Sequence, residues 1–469
     1  MNTTYDFGMI GLGVMGRNFI LNVADNGYAA AGLDLDQAKV EALEQEGAGK
    51  AVKGTTDTAA FIGMLKPPRK IMLLVPAGSA VDKVIESLLP HLDAGDLIID
   101  GGNSFFEDTN RRFEQLKTKD IQFMGVGVSG GAEGARRGPS IMPGGQKDAY
   151  QIIGPIFEAV AAEAKGEPCV AFLGQGAAGH YVKMVHNGIE YGLMQLLAEA
   201  YDILKNAAGL SNEELHETFK KWNEGALESF LVEITSKIFA KADDQGDGWL
   251  IDKILDKAKQ KGTGKWTSQN AMDLGIPVPT IDAAVTMRGI SALKTERQKL
   301  SPHYTRVIEQ APTVDQERLV NQVGEALHFA FLATYAQGMH LLAEASEEYE
   351  FGLDLQTVAK IWRGGCIIRA EILEDMRQAY ADQPALRNLL MSPIFQSSLR
   401  YGQHAMRSVL QTAMQHGLPT LALSSTLHYF DAFRDAQLPL NLVQAQRDFF
   451  GSHTYERVDR EGTFHTEWE

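Results

Sequence analysis

The stretch Phe7-Gly-Met-Ile-Gly-Leu-Gly-Val-Met-Gly16 predicts the fold of the first third of the chain. Its first residues have the pattern of a short buried strand, and a helical pattern follows to about Asp25. Gly11 permits a tight turn, Gly13 lets the backbone approach a pyrophosphate, and Gly16 allows the strand and helix to pack closely. The stretch is therefore typical of the start of a dinucleotide-binding domain.

The sequence that follows supports this interpretation over a chance glycine cluster. A second predicted strand, Tyr28 to Leu33, ends at Asp34, where a ribose-binding acid is expected. Further short apolar runs alternate with helical patterns, and they cover Lys70 to Val75, Asp96 to Asp100 and Ile121 to Val128. Alternating strands and helices predict a parallel, doubly wound Rossmann-type sheet.

Three turns should lie together at one edge of this sheet, because ligands bind beyond the carboxyl ends of parallel strands. They are Val75-Pro-Ala-Gly78, Gly101-Gly-Asn103 and Ser129-Gly-Gly131. Asn103 and Ser129 have side chains that can hydrogen-bond a hydroxyl or carboxylate of a ligand. Capping a helix and forming a turn are equally good explanations of these two residues from spacing alone.

The segment Lys183-Met-Val-His-Asn-Gly-Ile-Glu-Tyr191 places a polar stripe on one face of a predicted helix. Lys183, His186, Asn187 and Glu190 fall on that face, and apolar residues fill the opposite one. Buried charges need a partner or a polar ligand, and a hydroxyl-rich anion would supply one. Lys183 and Glu190 would be about 10 Å apart along the axis, enough to hold a small sugar acid between a base and an acid.

Beyond Gly174-Gln-Gly-Ala-Ala-Gly179 the sequence pattern predicts helices almost throughout. We expect a dinucleotide-binding domain over residues 1–178, a helical substrate and dimerisation domain over 179–440, and a carboxyl-terminal tail over 441–469. The helical domain should consist of two related halves, about 179–310 and 315–440. The fold class is thus α/β followed by all-α.

Short repeated words are the reason for expecting two halves. Leu196-Leu-Ala-Glu-Ala200 recurs as Leu341-Leu-Ala-Glu-Ala345, and Trp222 with Gly225 recurs as Trp362 with Gly365. When the two five-residue words are aligned, each residue of the polar stripe has a counterpart in the second half, and most of the counterparts are apolar or aromatic. The pairs are Lys183 with His328, His186 with Phe331, Asn187 with Leu332, and Glu190 with Tyr335. Either the stripe serves chemistry rather than packing, or the match of short words is fortuitous.

Composition limits the remaining possibilities. The 469 residues contain two cysteines and carry a formal charge of −16, and 44% of them are apolar. This favours a reducing, cytoplasmic setting without disulfides or structural zinc, and it disfavours nonspecific nucleic-acid binding. We expect neither a secretion signal nor a membrane anchor, because no apolar run is long enough to span a bilayer and the start, Met1 to Asp6, is short and polar.

Taken together, the motifs resemble those of the 6-phosphogluconate dehydrogenase family, in its long form, over nearly the whole chain. The resemblance depends on seven segments: Gly11-Leu-Gly-Val-Met-Gly-Arg-Asn18, Asp100-Gly-Gly-Asn103, Gly127-Val-Ser-Gly-Gly131, Gly138-Pro-Ser-Ile-Met-Pro-Gly-Gly145, Gly179-His-Tyr-Val-Lys-Met-Val-His-Asn-Gly188, Lys261-Gly-Thr-Gly-Lys-Trp-Thr267 and Gln446-Arg-Asp-Phe-Phe-Gly-Ser-His453. The set is highly specific, although several segments are not specific singly.

The resemblance implies oxidative decarboxylation of 6-phosphogluconate to ribulose 5-phosphate in the pentose phosphate pathway, without a metal. Lys183 matches the base that takes the C3 hydroxyl proton, and Glu190 matches the acid that protonates C1. Burial and neighbouring cations favour a neutral lysine, and an apolar pocket favours a protonated glutamate. The resemblance also implies a homodimer whose tail reaches the partner's active site, with no membrane or nucleic-acid partner.

The resemblance assigns the binding residues as well. Those expected to hold the sugar acid are Asn103, Ser129, Gly130, Gly131, His186 and Asn187; those expected to hold its phosphate are Tyr191, Lys261, Thr263, Arg288 and, from the second subunit, Arg447 and His453. Those expected to contact the cofactor are Gly11, Leu12, Gly13, Val14, Met15, Gly16, Asp34, Leu35, Val75, Pro76, Ala77 and Asn103.

The sequence departs from the family pattern at the cofactor's 2′ position. Many members have Asn-Arg-Ser or Asn-Arg-Thr where this chain has Asp34-Leu35-Asp36, and Pro76 replaces a common lysine. A 2′-phosphate would meet carboxylates there, whereas a free ribose diol can donate to Asp34. We therefore expect NAD to be preferred and NADP to remain possible, unless Lys39 or Arg17 compensates or Asp34 turns away.

Two other readings compete with this one. A dehydrogenase of small 3-hydroxy acids has a similar glycine-rich start and helix lysine but does not decarboxylate. The match to the phosphate pocket and the additional helical half argue against it. A noncatalytic dinucleotide-binding sensor is disfavoured because both proposed proton-transfer residues are present.

Overall fold

The computed structural model describes residues 4–304 and 313–469. Strands β1 to β7 of this part form one sheet in the order β3-β2-β1-β4-β5-β6-β7. Their bounds are β1 Phe7–Ile10, β2 Ala30–Leu33, β3 Val52–Thr55, β4 Lys70–Leu73, β5 Leu97–Asp100, β6 Gln122–Ser129 and β7 Ser140–Gly145. Two short hairpins complete the strands, β8 Glu163–Ala164 with β9 Glu167–Pro168, and β10 Tyr455–Glu456 with β11 Thr463–Phe464.

The predicted doubly wound sheet is confirmed, with two additions at its edges. Pairings among the first six strands are parallel, but β7 runs antiparallel to β6. Neither β3 nor β7 was expected from the sequence. The first is a short, partly exposed edge strand, and the second ends in Pro143-Gly-Gly145, which reads as a turn. Proline is tolerated in β7 because the strand lies at the sheet edge.

Helices fill both faces of the sheet and then make up most of the chain after residue 178. Their bounds are α1 Val14–Asp25, α2 Gln37–Glu46, α3 Thr58–Met64, α4 Ser79–Leu88, α5 Phe106–Lys117, α6 Gly131–Arg137, α7 Lys147–Val160, α8 Ala178–Asn206, α9 Asn212–Trp222, α10 Phe230–Phe239, α11 Thr263–Asp273, α12 Pro279–Ala292, α13 Lys294–Leu300, α14 Gln316–Glu348, α15 Leu355–Ile361, α16 Ile372–Asp382, α17 Gln396–Gln415, α18 Leu421–Phe433 and α19 Leu440–Gly451.

Two runs of helices after residue 178 begin in the same order. A long helix, α8 or α14, opens each run, and a shorter helix then ends at Trp222 in the first run and immediately before Trp362 in the second. The long helices pack against each other closely: a Cβ on Gly338 of α14 would lie 2.5 Å from Ile189 Cδ1 of α8. The expected end of the first half, near residue 310, lies outside the described residues, and the division into domains and halves stays a prediction.

The last 43 residues form a separate compact unit, Leu427–Glu469. Its organising group is Asp448, which is fully buried. Burial raises the pKa of Asp448, but hydrogen bonds to its carboxylate lower that pKa to about 2. His465 Nδ1 donates one of these bonds at 2.9 Å, and Trp468 Nε1 donates another at 2.8 Å. One carboxylate therefore holds α19 to the end of the chain. Within the described part of the chain, we find no helix long and apolar enough to cross a membrane.

Candidate active site

The predicted polar stripe lies near the start of α8, a helix that is buried on nearly all sides. The side chains of Lys183 and His186 are almost inaccessible, whereas Asn187 and Glu190 are half-buried. The opposite residues Val185 and Ile189 are fully buried toward α14. A helix in this setting keeps polar side chains at a cost, so their arrangement calls for a functional explanation.

His186 is the centre of the stripe's contacts. Its Nδ1 lies 3.4 Å from Lys183 Nζ and 3.1 Å from Asn187 Oδ1, and its Nε2 lies 3.3 Å from Ser129 Oγ. Glu190 Oε2 is 3.9 Å from the same Nδ1. The structure thus brings Ser129, at the end of β6, into contact with the stripe on α8.

Burial moves the pKa values of the proposed base and acid in opposite directions. It lowers the pKa of Lys183, although attraction to Glu190 opposes the shift. It raises the pKa of Glu190, although Lys183 and Arg288 oppose that shift. Both shifts favour the uncharged forms, a neutral amine and a protonated carboxyl. A lysine able to accept a proton and a glutamate able to donate one therefore lie on one helix face.

The surroundings of His186 favour its neutral form as well. Burial and the nearby Lys183 lower its pKa well below the usual value. A neutral imidazole has one donor and one acceptor nitrogen, so it can orient the lysine or a ligand hydroxyl without adding charge. This suits a binding residue beside a proton-transfer group.

Close backbone approach brings α8 against the sheet at this point. A Cβ on Gly127 would lie 2.4 Å from Lys183 Cβ, so any larger residue in β6 would displace the lysine. Gly130, at the turn after β6, has φ +108°, and a Cβ there would lie 2.5 Å from the Gly365 carbonyl oxygen. Gly131, the last residue of this turn and the first of α6, is exposed. Glycine is therefore required both before the turn, at Gly127 against Lys183, and within it, at Gly130 against Gly365.

Three residues matched to the phosphate pocket, Thr263, Tyr191 and Arg288, lie close to the polar stripe. Thr263 Oγ1 accepts a hydrogen bond from Asn187 Nδ2 (3.2 Å), and the Arg288 guanidinium lies 4.4 Å from the centre of the Tyr191 ring. Arg288 also donates to the Lys259 carbonyl oxygen at 2.7 Å. Lys261 is exposed. A cationic edge of the site thus adjoins the stripe, with Tyr191 between them.

A cleft of about 710 Å³ lies at the carboxyl ends of β1, β2 and β4. Its lining includes Gly11, Gly13, Asp34, Leu35, Val75 and Pro76. A Cβ on Gly16 would lie 1.9 Å from the Gly11 carbonyl oxygen, whereas one on Gly13 would meet open space. The close approach of Gly16 to Gly11 lets the strand and the helix pack tightly, and the open space at Gly13 leaves room for a ligand phosphate. Leu12 and Ala77 lie in the turns after β1 and β4, and Val14 and Met15 are the first two residues of α1.

Asp34 points into the glycine-rich turn rather than away from it. Its Oδ2 accepts from the Leu12 amide at 2.7 Å and its Oδ1 from the Asp36 amide at 3.0 Å. Lys39 Nζ lies 3.4 Å from Oδ1, and the neighbouring Leu35 side chain is 93% exposed. Arg17 pairs with Glu46 at 3.1 Å. Of the two cations considered as compensation, Lys39 is therefore the one beside Asp34.

Two residues of the site were not expected from the sequence. The Trp362 ring packs edge-on against His186 with 5.6 Å between ring centres. Cys366 is fully buried and interacts electrostatically with Lys183, and burial raises the pKa of its thiol to about 12. Both follow α15 in the chain. Trp362 is recognisable in the sequence only as part of a repeated word, and nothing in its local sequence indicates that it reaches α8.

The remaining predicted residues are placed as follows. Asn103 is exposed on the turn after β5. Arg447 and His453 belong to the separate carboxyl-terminal unit, where Arg447 Nη1 donates to Gln444 Oε1 at 3.0 Å. Their part in a phosphate pocket stays a prediction. Within the described residues, no group of three or more His, Cys, Asp or Glu side chains is arranged to hold a metal ion.

Comparison with known families covers the chain in two parts. The sequence model described as the NAD binding domain of 6-phosphogluconate dehydrogenase matches residues 6–174. The model described as the 6-phosphogluconate dehydrogenase C-terminal domain matches residues 179–468.

Individual relatives match over almost their full length. The NADP(+)-dependent, decarboxylating 6-phosphogluconate dehydrogenase of Bacillus subtilis is 50% identical over 461 residues, with 98% of each chain covered. The decarboxylating 6-phosphogluconate dehydrogenase of Escherichia coli is 49% identical, again with 98% of each chain covered. A solved structure of the Plasmodium falciparum 6-phosphogluconate dehydrogenase is 44% identical and superimposes with a TM-score of 0.96, covering 99% of this chain and all of that one.

Proposed function

This chain belongs to the 6-phosphogluconate dehydrogenase family of decarboxylating, NAD(P)-dependent oxidoreductases, and we propose that Lys183 and Glu190 move the protons in its reaction. The observation that carries the proposal is their placement on one face of α8 with pKa values shifted toward the neutral forms. Neutral Lys183 takes the proton of the C3 hydroxyl, and a nicotinamide held by the residues of the glycine-rich cleft would supply the acceptor for the C3 hydride. The resulting 3-keto acid loses carbon dioxide, and protonated Glu190 donates to C1 of the enediol.

The surrounding residues bind and orient the sugar acid in this proposal. Ser129, Gly130, Gly131, Asn103, His186 and Asn187 hold the carboxylate and hydroxyls. Tyr191, Lys261, Thr263 and Arg288 hold the phosphate. The contacts of His186 with Ser129, Lys183 and Asn187 support this, because one neutral imidazole links the turn after β6 to the proposed base. After C3 oxidation, the proton on Lys183 stabilises the negative charge that develops on the C3 oxygen during decarboxylation.

We further propose that the enzyme prefers NAD over NADP. Asp34 is held at the glycine-rich turn, and the exposed Leu35 occupies the place of an arginine in many relatives. A 2′-phosphate would approach the carboxylates of Asp34 and Asp36, with Lys39 already paired to Asp34. Charge repulsion at this position disfavours NADP. The Bacillus subtilis relative, by contrast, is named as NADP(+)-dependent.

The test is kcat/KM for both cofactors with 6-phosphogluconate. We expect NAD to be favoured about tenfold or more, which corresponds to about 1.4 kcal/mol. The triple variant Asp34→Asn, Leu35→Arg, Asp36→Thr should reverse the preference, because it removes two carboxylates and adds a cation. Leu35→Met is the matched control and should leave the ratio unchanged. A wild-type preference for NADP would contradict the proposal.

The proposal includes a homodimer in which Arg447 and His453 of the tail complete the partner's phosphate pocket. Exposed apolar side chains on the tail unit support it, since Leu442 is 62% and Phe450 74% exposed in the single chain. Apolar patches of this kind are often covered by another subunit. A cytoplasmic location is also proposed, because Cys169 and Cys366 are buried free thiols.

A further inference from the structure

Arg112 of α5 lies between the two turns that the proposed function assigns to cofactor and substrate. Its side chain is 1% exposed. Nη2 donates to the Gly78 carbonyl oxygen at 3.0 Å, and Nη1 donates to Asp100 Oδ2 at 3.3 Å and to Ser104 Oγ at 3.5 Å. One buried guanidinium therefore contacts the turn after β4 and the turn after β5.

Asp100 transmits this contact to both neighbours of Asn103. Its Oδ1 accepts from the Gly102 amide at 3.0 Å, and its Oδ2 accepts from Ser104 Oγ at 2.6 Å. Asp100 is fully buried, so these bonds are shielded from water. The exposed Asn103 thus lies between Gly102 and Ser104, and both of these residues are hydrogen-bonded to Asp100, which Arg112 contacts.

On the cofactor side, Arg112 holds the start of α4. Its Nε donates to Asp82 Oδ1 at 2.8 Å in the first turn of that helix, immediately after Gly78. The two turns are also neighbours, because a Cβ added to Gly102 would come to 3.4 Å from the Val75 carbonyl oxygen. The Val75–Gly78 turn and the Gly101–Ser104 turn are therefore held at one separation.

We propose that Arg112 is a positioning residue for hydride transfer. It keeps the turn that borders the cofactor in register with the turn that carries Asn103, so that C3 of the sugar acid and the nicotinamide meet at a reactive distance. The planar fork of a guanidinium reaches Gly78, Asp82 and Asp100 together, whereas the single ammonium of a lysine cannot. The inference rests on the cofactor and substrate roles proposed above.

The experiment compares Arg112→Lys with Arg111→Lys in the full-length enzyme. Arg111 is the adjacent arginine of α5; it pairs with Asp82 and Asp108 and is half exposed. We expect Arg112→Lys to lower kcat about 10- to 100-fold, since small misplacements of reacting groups have effects of this size. The primary deuterium isotope effect on kcat/KM with C3-deuterated substrate should rise, because hydride transfer becomes the slow step. Arg111→Lys should stay within about twofold of wild type on both measures.

Amide hydrogen exchange provides a readout that does not depend on turnover. Arg112→Lys should increase exchange in both turns, residues 75–80 and 101–106, and Arg111→Lys in neither. If wild-type enzyme failed to reduce either cofactor with 6-phosphogluconate, the proposed function would be wrong, yet the exchange comparison would still show whether Arg112 holds the two turns in place.

Ser104→Ala keeps the inference testable if Arg112→Lys does not fold. It removes one hydrogen bond to Asp100 and should lower kcat about threefold to tenfold, with faster exchange at residues 101–106. The inference is overturned if a folded Arg112→Lys enzyme, or in its place Ser104→Ala, has wild-type kcat, isotope effect and exchange in the two turns.

Discussion

Lys183 and Glu190 lie on a single helix face, and the proposed mechanism makes them its base and its acid. That mechanism needs a neutral lysine and a protonated glutamate. Activity therefore rises with pH through the pKa of Lys183 and falls through that of Glu190. Burial lowers the first pKa and raises the second, so a larger fraction of the enzyme has both groups in the required form near neutral pH. Mutual attraction opposes both shifts and limits how far they go.

Single substitutions at these two residues should separate the two proton transfers. Lys183→Arg should abolish both the first-turnover burst of reduced cofactor and steady-state turnover, because a guanidinium does not lose its proton. Glu190→Gln should retain the burst and lower steady-state kcat by about 10²- to 10⁴-fold, since only the later protonation is lost. Stopped-flow absorbance of the reduced cofactor measures both phases. Near-normal kcat in Glu190→Gln would exclude its role as the acid.

At the scale of elements, α8 does more than carry the stripe. Glu199, on the same helix, is 3% exposed and accepts hydrogen bonds from the Ala422 and Leu423 amides at 2.9 and 2.8 Å, at the start of α18. Burial raises its pKa to about 7, although these hydrogen bonds lower it. The helix that presents Lys183 is thereby joined to α18 through one buried carboxyl.

The buried Glu199 carboxyl should make the free energy of unfolding depend on pH. A carboxyl whose folded-state pKa is raised contributes its full stabilisation below the unfolded value near 4.5 and loses it as pH rises through about 7. The free energy of unfolding should therefore fall by about 3 kcal/mol over that interval because of Glu199. Glu199→Gln should flatten this slope in urea unfolding measured between those pH values.

Glu344→Gln is the matched control for this measurement. Glu344 occupies the corresponding place in the second Leu-Leu-Ala-Glu-Ala word, but it is partly exposed and pairs with Arg387 at 2.9 Å. The control should keep the wild-type slope. A Glu199→Gln protein with an unchanged slope would show that this carboxyl is not the titrating group.

At the scale of the whole molecule, the proposed exchange of tails predicts complementation between inactive chains. Lys183→Ala and Arg447→Ala homodimers should both have very low activity, the first without its base and the second without a phosphate ligand. In a mixed dimer, one site would combine the intact Lys183 of one chain with the intact Arg447 of the other. Co-expressed, differently tagged chains should therefore give a purified heterodimer with about half of the wild-type kcat, assuming independent sites.

A heterodimer without activity would show instead that each tail serves its own chain. The control is Lys183→Ala paired with a second Lys183→Ala chain carrying the other tag, which should stay inactive. Measuring the mass of the complex in solution establishes that the mixed species is a dimer.

Patterns within short stretches of sequence were sufficient for much of this protein. The glycine-rich turn between β1 and α1, the parallel strands β1, β2, β4, β5 and β6, and the Lys183–Tyr191 stripe all follow from local spacing, because backbone geometry repeats over a few residues. The specific motifs also identified the family. Strands β3 and β7 were missed because edge strands with glycine, proline and polar residues lack that local pattern.

What only the tertiary structure decided is which distant residues meet. Trp362 reaches His186, Arg112 joins Gly78 to Asp100, and Asp34 accepts a hydrogen bond from Leu12. Each contact links segments far apart in the chain, and its geometry depends on how whole helices and strands pack rather than on the neighbours of either residue. The sequence by itself determined that a lysine and a glutamate share a helix face. Packing decided how far they are removed from water, and this burial causes the pKa shifts that suit them to the proposed proton transfers.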